Sequence, residues 1–332
     1  MSDTRLTYLD KAKGMAIILM VFAHTMPGET INTWIFAFHM PLFFIVSGIL
    51  IAWKFGEEKE SASSLKKDLK KRLFQLGIPY CVFSFLLAGY YGILQYLAGE
   101  VNQMGTYLFK VVTMQGIDSL WFLPCYFVAE VVMKVTLFRP LIAHVVGIVT
   151  ICALVLYFIC VKETPDEWWC RFVLKVCVCY AFVYIGYELM KIRVVERLHF
   201  VVACMSLLIC SGLALYNGFS AIGSLQLNNP VLFFINATGL TFMWFYFFHK
   251  DEARKWFDWL SFFGKNSMVI LCTNNLLIEV IRLLDYRWAG GILLANGICG
   301  SICFTVMIIG LEIPLVYCAS NTRLSILFGK RI

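Results

Sequence analysis

Two histidines, His24 and His39, lie within the first hydrophobic hairpin of a chain that has five histidines in all. His24 follows Lys13 by eleven positions, and the residues between them are almost all apolar. A helix places two such side chains about 16 Å apart along its axis. Ionisable groups at membrane depth are energetically costly and usually mark a functional site. A cation at the inner face and a titratable base deep in the bilayer therefore indicate chemistry across the membrane.

Neutral imidazole is a competent general base near neutral pH, and it could take the proton of an alcohol that attacks a thioester. A single histidine in a span is about as often a hydrogen-bonded contact between helices. Three features favour chemistry here. His39 lies on the antiparallel neighbouring helix, Asp10 and Lys13 are spaced to pair on one helix face, and the turn Pro27–Thr30 joins the two helices at their outer ends.

The segment 38–48 is predicted to be irregular and to line a cavity. Pro41 follows His39 closely and removes a backbone hydrogen-bond donor, so it should kink a helix or start one. Ser47 and Gly48 are small enough to allow a close approach between helices. Irregular backbone at this depth is tolerated only against protein or water.

Other chemical signals are weaker. The sequence has no GxSxG elbow, no HExxH and no phosphate-binding loop, which argues against serine hydrolases, zinc peptidases and P-loop enzymes. Most of the thirteen cysteines lie in apolar runs without a CxxC pair, as expected for small buried hydrophobes. Glu130 lies in mid-span and could be the partner of an imidazole, and Trp121 opens the same span.

With 60% hydrophobic and 15% charged residues, the chain is predicted to be an all-α polytopic membrane helix bundle. We expect a single membrane domain over 1–332, with no separate soluble domain and with the first apolar run retained as an anchor. The apolar runs predict about ten transmembrane helices: 13–27, 32–53, 73–98, 119–138, 141–161, 170–190, 198–216, 230–248, 266–284 and 289–318.

The distribution of the 28 Lys and Arg residues predicts that both termini are cytoplasmic. With the amino terminus inside, most of these cations fall on the inner side. The outer side then keeps only Lys110, Lys162, Arg171, Lys175, Arg282 and Arg287.

The longest inner loop, Lys54–Arg72, ends in the basic run Lys70, Lys71 and Arg72. These cations can be topological anchors whose stems snorkel along the membrane surface. They can equally form a site for a phosphate-bearing cytosolic ligand, because adjacent cations suit phosphates. The composition favours the first reading slightly and leaves both open.

Several segments together resemble the acyltransferase-3 family of bacterial integral membrane acyltransferases, in the branch of cell-surface sugar O-acetylases. Lys13 and His24 are similar to the basic-residue-x10-His motif of that family, with lysine where many members have arginine. Asn274 departs from the family pattern, in which a histidine often stands there. The other similar blocks are Tyr8–Gly14, Phe38–Gly48, Lys71–Tyr80, Leu120–Leu123 and Gly264–Ser267.

The resemblance implies transfer of an acetyl or other acyl group from cytosolic acyl-CoA to a hydroxyl of an extracytoplasmic or lipid-linked glycan, in the bacterial inner membrane. It implies neither a metal nor a nucleic-acid partner. By this resemblance, His24 is the general base and His39 assists at the catalytic site. Lys13 supports the coenzyme, whose phosphates bind Lys70, Lys71 and Arg72. We expect the substrate pocket to include Asp10, Ser47, Trp121 and Glu130.

Two alternatives remain at this stage. The same histidines could serve a proton-coupled exporter of a glycan or small metabolite, with Lys13 and Glu130 as relay groups. The absence of a visible internal repeat weakens that reading, since many carriers are built from repeats. The chain could also be a non-catalytic membrane subunit.

Overall fold

The structure, a computed structural model, describes residues 6–57, 62–99, 103–161, 163–291 and 297–329. Lys162 and four of the predicted inner cations (Arg5, Lys59, Lys330 and Arg331) lie outside the described residues. Over the described ranges the chain is almost entirely helical, and the only strand-like pairing is an isolated bridge between Ala221 and Gln226. The prediction of an all-α bundle is confirmed.

Fourteen α-helices and two short 3-10 helices make up the described chain. The 3-10 helices are Asp118–Trp121 and Arg323–Phe328. The α-helices are α1 Thr7–His24, α2 Glu29–Phe36, α3 His39–Glu57, α4 Ala62–Leu97, α5 Gln103–Val112, α6 Phe122–Thr136, α7 Pro140–Cys160, α8 Trp168–Lys191, α9 Val194–Arg197, α10 Phe200–Asn217, α11 Pro230–Asp251, α12 Leu260–Lys265, α13 Ser267–Ala289 and α14 Gly297–Asn321.

Nine spans in the described ranges are long and apolar enough to cross a membrane, and the protein is a multi-pass membrane protein. α2 and α3 together form one of these spans, Glu29–Lys54. α1 corresponds to the first of the ten predicted helices, 13–27, but its charged residues Asp10, Lys11 and Lys13 keep it out of the nine apolar spans. It is largely buried by other helices, so protein rather than lipid surrounds these charges. We call the end of the bundle with Thr7 and Asp251 the inner end, following the predicted orientation, and the opposite end the outer end.

The prediction that 38–48 is irregular is wrong for most of its length. The backbone breaks only at Ala37 and Phe38, and α3 runs unbroken from His39. Pro41 is the third residue of α3, where the backbone N–H would have no partner within the helix. The proline therefore fits the first turn of a helix without kinking it, and the break separates α2 from α3 just ahead of His39.

Three glycines let helices touch backbone to backbone. A Cβ on Gly14 of α1 would lie 2.0 Å from the carbonyl oxygen of Leu260, and a Cβ on Gly264 would lie 1.8 Å from that of Asp10. The predicted close approach at Gly48 is confirmed, since a Cβ there would meet the carbonyl oxygen of Val183 in α8 at 1.9 Å. Small residues at helix interfaces bring backbones this close in membranes.

Lys11 fixes the inner end of α1. Its ammonium group is buried and lies 2.8 Å from Asp251 and 2.7 Å from Asp258. Asp251 also accepts hydrogen bonds from the backbone N–H groups of Trp256 and Phe257. The chain between α11 and α12 is thereby folded around one buried cation. All thirteen cysteines are free, as their apolar surroundings suggested.

The glycine contact between α1 and α12 predicts a strong effect of a single methyl group. Gly264→Ala should destabilise the protein by about 1–3 kcal/mol, because the added Cβ overlaps the backbone of α1. Gly212→Ala in α10 is the matched control, since its Cβ meets nothing within 4 Å and alanine favours a helix. Thermal unfolding of the two purified variants in detergent measures the difference. Equal melting temperatures for Gly264→Ala and the parent protein would contradict the contact.

Candidate active site

His24 and His39 line the same cavity, at the outer end of the bundle. Its volume is about 300 Å³, and its walls include Phe36, Trp121 and Phe219. The ring of Phe36 lies between the two imidazoles, with centroid distances of 6.0 Å to His24 and 4.9 Å to His39. We call this space the histidine cavity. The structure thus brings together both predicted catalytic histidines and Trp121.

Backbone hydrogen bonds set the chemistry of both imidazoles. Nδ1 of His24 lies 2.7 Å from the carbonyl oxygen of Met20, and Nδ1 of His39 lies 2.8 Å from that of Ile35. A carbonyl oxygen can only accept, so each Nδ1 carries the proton. In the neutral ring, Nε2 then holds the lone pair. Both histidines are therefore held in the tautomer that can accept a proton at Nε2.

A second cavity of about 170 Å³ lies on the inner side of the histidine cavity. Lys13 and Arg72 line it together with apolar residues such as Ile17 and Phe43, and we call it the inner cavity. Met40 lines both cavities. The two spaces therefore share Met40 as a common wall, with Lys13 and Arg72 on the inner side and the histidines on the outer side.

One face of α1 lines both cavities. Lys13 and Ile17 face the inner cavity, and Met20 and His24 face the histidine cavity. Their spacing of four, three and four positions places all four side chains on one stripe of a helix. Lys13 also pairs with Asp10 at 2.8 Å, which confirms the pairing predicted from their spacing.

The prediction that Glu130 is the partner of an imidazole is wrong. The buried carboxylate accepts a hydrogen bond from the Ser47 hydroxyl at 2.8 Å and lies 3.3 Å from Nε of Arg72. One turn further along, Lys134 of the same helix pairs with Asp68 at 2.5 Å. The strongest partner of a buried carboxylate is a cation, so Glu130 holds Arg72 at the wall of the inner cavity.

The predicted phosphate-binding residues fall into two groups. Arg72 and Lys13 line the inner cavity, whereas Lys70 and Lys71 are exposed on the inner end of α4. Ser47 and Asp10 line neither cavity, and they contact Glu130 and Lys13 respectively.

The sequence did not predict the outer wall of the histidine cavity. Asp118 and Ser119 of the 3-10 helix line it together with Phe219 and residues 221–224 of the loop before α11. Side-chain amides hold this loop, since Nδ2 of Asn217 donates to the carbonyl of Leu227 at 3.1 Å and Nδ2 of Asn228 to that of Asn217 at 2.7 Å. The turn residues at 217–218 and 228–230 could have indicated a structured loop, but not its position over the histidines.

Asn274, which stands where family members often have histidine, is buried and makes no hydrogen bond to the described residues. Its neighbour Asn275 donates to the Ser119 hydroxyl at 2.9 Å, which ties α13 to the 3-10 helix.

The model of a family described as an acyltransferase domain matches residues 6–317, nearly the whole chain. Searches of curated proteins and of solved structures gave no match.

The matched region contains all the lining residues of both cavities, from Lys13 to Leu271. This match favours acyl transfer over the exporter and subunit alternatives. The exporter alternative needs Glu130 beside a histidine as a proton relay, but Glu130 pairs with Arg72 instead. The chain belongs to the acyltransferase-3 family and is a multi-pass membrane acyltransferase.

Proposed function

We propose that the protein transfers an acetyl group from cytosolic acetyl-CoA to a hydroxyl of an extracytoplasmic or lipid-linked glycan, with His24 as the general base. The observation that carries the proposal is the pair of neighbouring cavities that share Met40, with Lys13 and Arg72 in the wall of one and two histidines in the wall of the other. A donor and an acceptor can then meet inside the protein from opposite sides of the membrane.

The inner cavity suits the donor. Lys13 and Arg72 supply positive charge for coenzyme phosphates, and the exposed Lys70 and Lys71 add more at the same end of the bundle. Ile17 and Phe43 offer an apolar wall to the pantetheine arm. The rise from Lys13 to His24 is about 16 Å, which is comparable to the length of that arm.

The histidine cavity suits a sugar hydroxyl. Phe36, Trp121 and Phe219 provide aromatic faces on which a sugar ring can stack, and the two Nε2 atoms provide acceptors for its hydroxyl groups. The residues of the outer wall follow predicted outer loops, so the acceptor would arrive from the extracytoplasmic side. In a bacterial inner membrane, acetyl-CoA would be on the cytoplasmic side and the glycan on the opposite side.

The reaction then needs one base and no covalent enzyme intermediate. Nε2 of His24 takes the proton of the acceptor hydroxyl while the hydroxyl oxygen attacks the thioester carbonyl carbon. The carbon–sulfur bond breaks, and the thiolate of coenzyme A takes the proton back from the His24 imidazolium. His39 offers a second Nε2 lone pair that orients the hydroxyl. The products are the acetyl ester and free coenzyme A, which leaves through the inner cavity.

Replacement of the base tests this mechanism directly. His24→Ala should lower the rate of acetyl transfer by about 10²–10⁴-fold while the protein remains folded and inserted. The assay follows labelled acetyl groups from acetyl-CoA into acceptor glycans in membrane vesicles, and size-exclusion chromatography monitors folding. His199→Ala is the control, because His199 is an exposed histidine outside the cavity. Near-normal turnover by His24→Ala would rule out the assignment of the base.

A second prediction concerns the binding of acetyl-CoA in the inner cavity. Lys13→Gln should raise the KM for acetyl-CoA about tenfold without changing the KM for the acceptor, because Lys13 lines only the inner of the two cavities. Added salt should weaken acetyl-CoA binding by the parent protein, since partly exposed charges are screened. Lys66→Gln, at an exposed position of α4, is the matched control. If the Lys13 and Lys66 variants share one KM for acetyl-CoA, the inner cavity is not the donor site.

A further inference from the structure

A third cavity, of about 210 Å³, lies at the outer end of the bundle beside the histidine cavity. Its walls contain Lys110, Arg171 and Lys175, which are three of the six cations predicted on the outer side. The positive-inside rule accounts for few cations at this face and gives no reason for half of them to share one cavity. We call this space the basic cavity.

The basic cavity shares a wall with the histidine cavity. Asp118, Trp121, Gly223 and Ser224 line both spaces. A Cβ on Gly223 would lie 2.9 Å from Nε1 of Trp121, so only glycine lets the loop pack this closely on the indole. A ligand with its hydroxyl at the histidines can therefore extend past Trp121 towards the three cations.

Lys175 is the most informative of these cations. It lies seven residues into α8, about 10 Å along the helix from its outer end. Its ammonium group stands over the Trp121 ring at 5.5 Å from the centroid. No carboxylate of the described residues forms a salt bridge with Lys110 or Lys175. A cation at such depth without a carboxylate partner is costly and calls for an anionic ligand or an aqueous space.

The remaining charges leave the basic cavity positive. Arg171 donates to the carbonyl of Pro165 at 2.5 Å and lies 3.7 Å from Asp166. Because Asp166 is fully exposed, it neutralises little of the charge of Arg171. Asp118 is the one acidic residue of the cavity wall, and it accepts a hydrogen bond from the Tyr91 hydroxyl at 2.7 Å. Three cations thus face a single carboxylate that already has a partner.

We propose that the basic cavity binds an anionic group of the acceptor, a phosphate or a carboxylate, while the hydroxyl to be acetylated lies at His24. This inference rests on the proposed function and narrows its acceptor to acidic or phosphate-linked glycans. The phosphate could belong to a lipid-linked sugar, and the carboxylate to an acidic sugar of a glycan. Both present oxygen anions that lysine and arginine recognise.

Binding of small sugar probes tests the site without any need for turnover. Glucose 1-phosphate, glucuronate and glucose are titrated against the purified full-length protein in nanodiscs by ligand-observed NMR. The phosphate or the carboxylate probe, or both, should bind more tightly than glucose. Which of the two binds more tightly distinguishes a phosphate-linked from an acidic acceptor. Arg171→Gln combined with Lys175→Gln should weaken that probe about ten- to a hundredfold and leave glucose unchanged.

Two control variants separate specific binding from general charge. Arg287→Gln removes an exposed outer cation that does not line the basic cavity and should leave all affinities unchanged. Lys175→Arg in the parent protein should retain the anionic preference. Equal affinities of the parent protein for all three probes, or unchanged affinities in the double variant, would overturn the inference.

A transfer assay separates this inference from the proposed function. The parent protein is given acetyl-CoA with octyl glucoside or octyl glucuronide as acceptor, or with glucose 1-phosphate. If anionic probes bind in the expected pattern but no acceptor is acetylated, the anion site stands and the proposed reaction fails. If all three acceptors are acetylated with one KM, the reaction stands and the anion site fails.

Discussion

The contact of α1 with α12 at Gly14 and Gly264 is the constraint on which the rest of the site depends. With no side chains between the two backbones, α12 fixes one face of α1. The buried Lys11, bonded to Asp251 and Asp258, fixes its inner end. A different face of the helix, the stripe from Lys13 to His24, is left to line the two cavities. Charged residues are therefore tolerated in α1 because other helices cover one of its faces and a cavity opens on another.

The Arg72–Glu130 pair plays a comparable role for the inner cavity. A buried carboxylate without a cation would be strongly destabilising, and a cation at a cavity wall without a fixed partner would have no fixed position. Ser47 donates to the same carboxylate, so α3, α4 and α6 meet at one polar point. Because α3 also carries His39 and Met40, this point links the position of the donor cation to that of the histidines.

Much of the site that lies within one helix or one turn could be predicted from the sequence. The Lys13–His24 separation, the Asp10–Lys13 pair and the close approach at Gly48 all follow from helix geometry and side-chain size. The partner of Glu130, the separation of Arg72 from Lys70 and Lys71, and the loop 219–224 over the histidines could not be predicted. Each depends on which helices become neighbours, and the periodicity of one helix carries no information about that. Pro41 suggests an irregular backbone over 38–48, but the break lies at Ala37–Phe38 because a helix tolerates proline in its first turn.

The central claim is that donor and acceptor meet at His24 through two adjoining cavities. A cryo-electron microscopy structure of the protein with coenzyme A bound tests it most directly. The account predicts that the coenzyme phosphates lie near Lys13 and Arg72, with the pantetheine arm running past Met40 and the thiol close to Nε2 of His24. Coenzyme phosphates bound at the outer end instead, near Asn217, would contradict it.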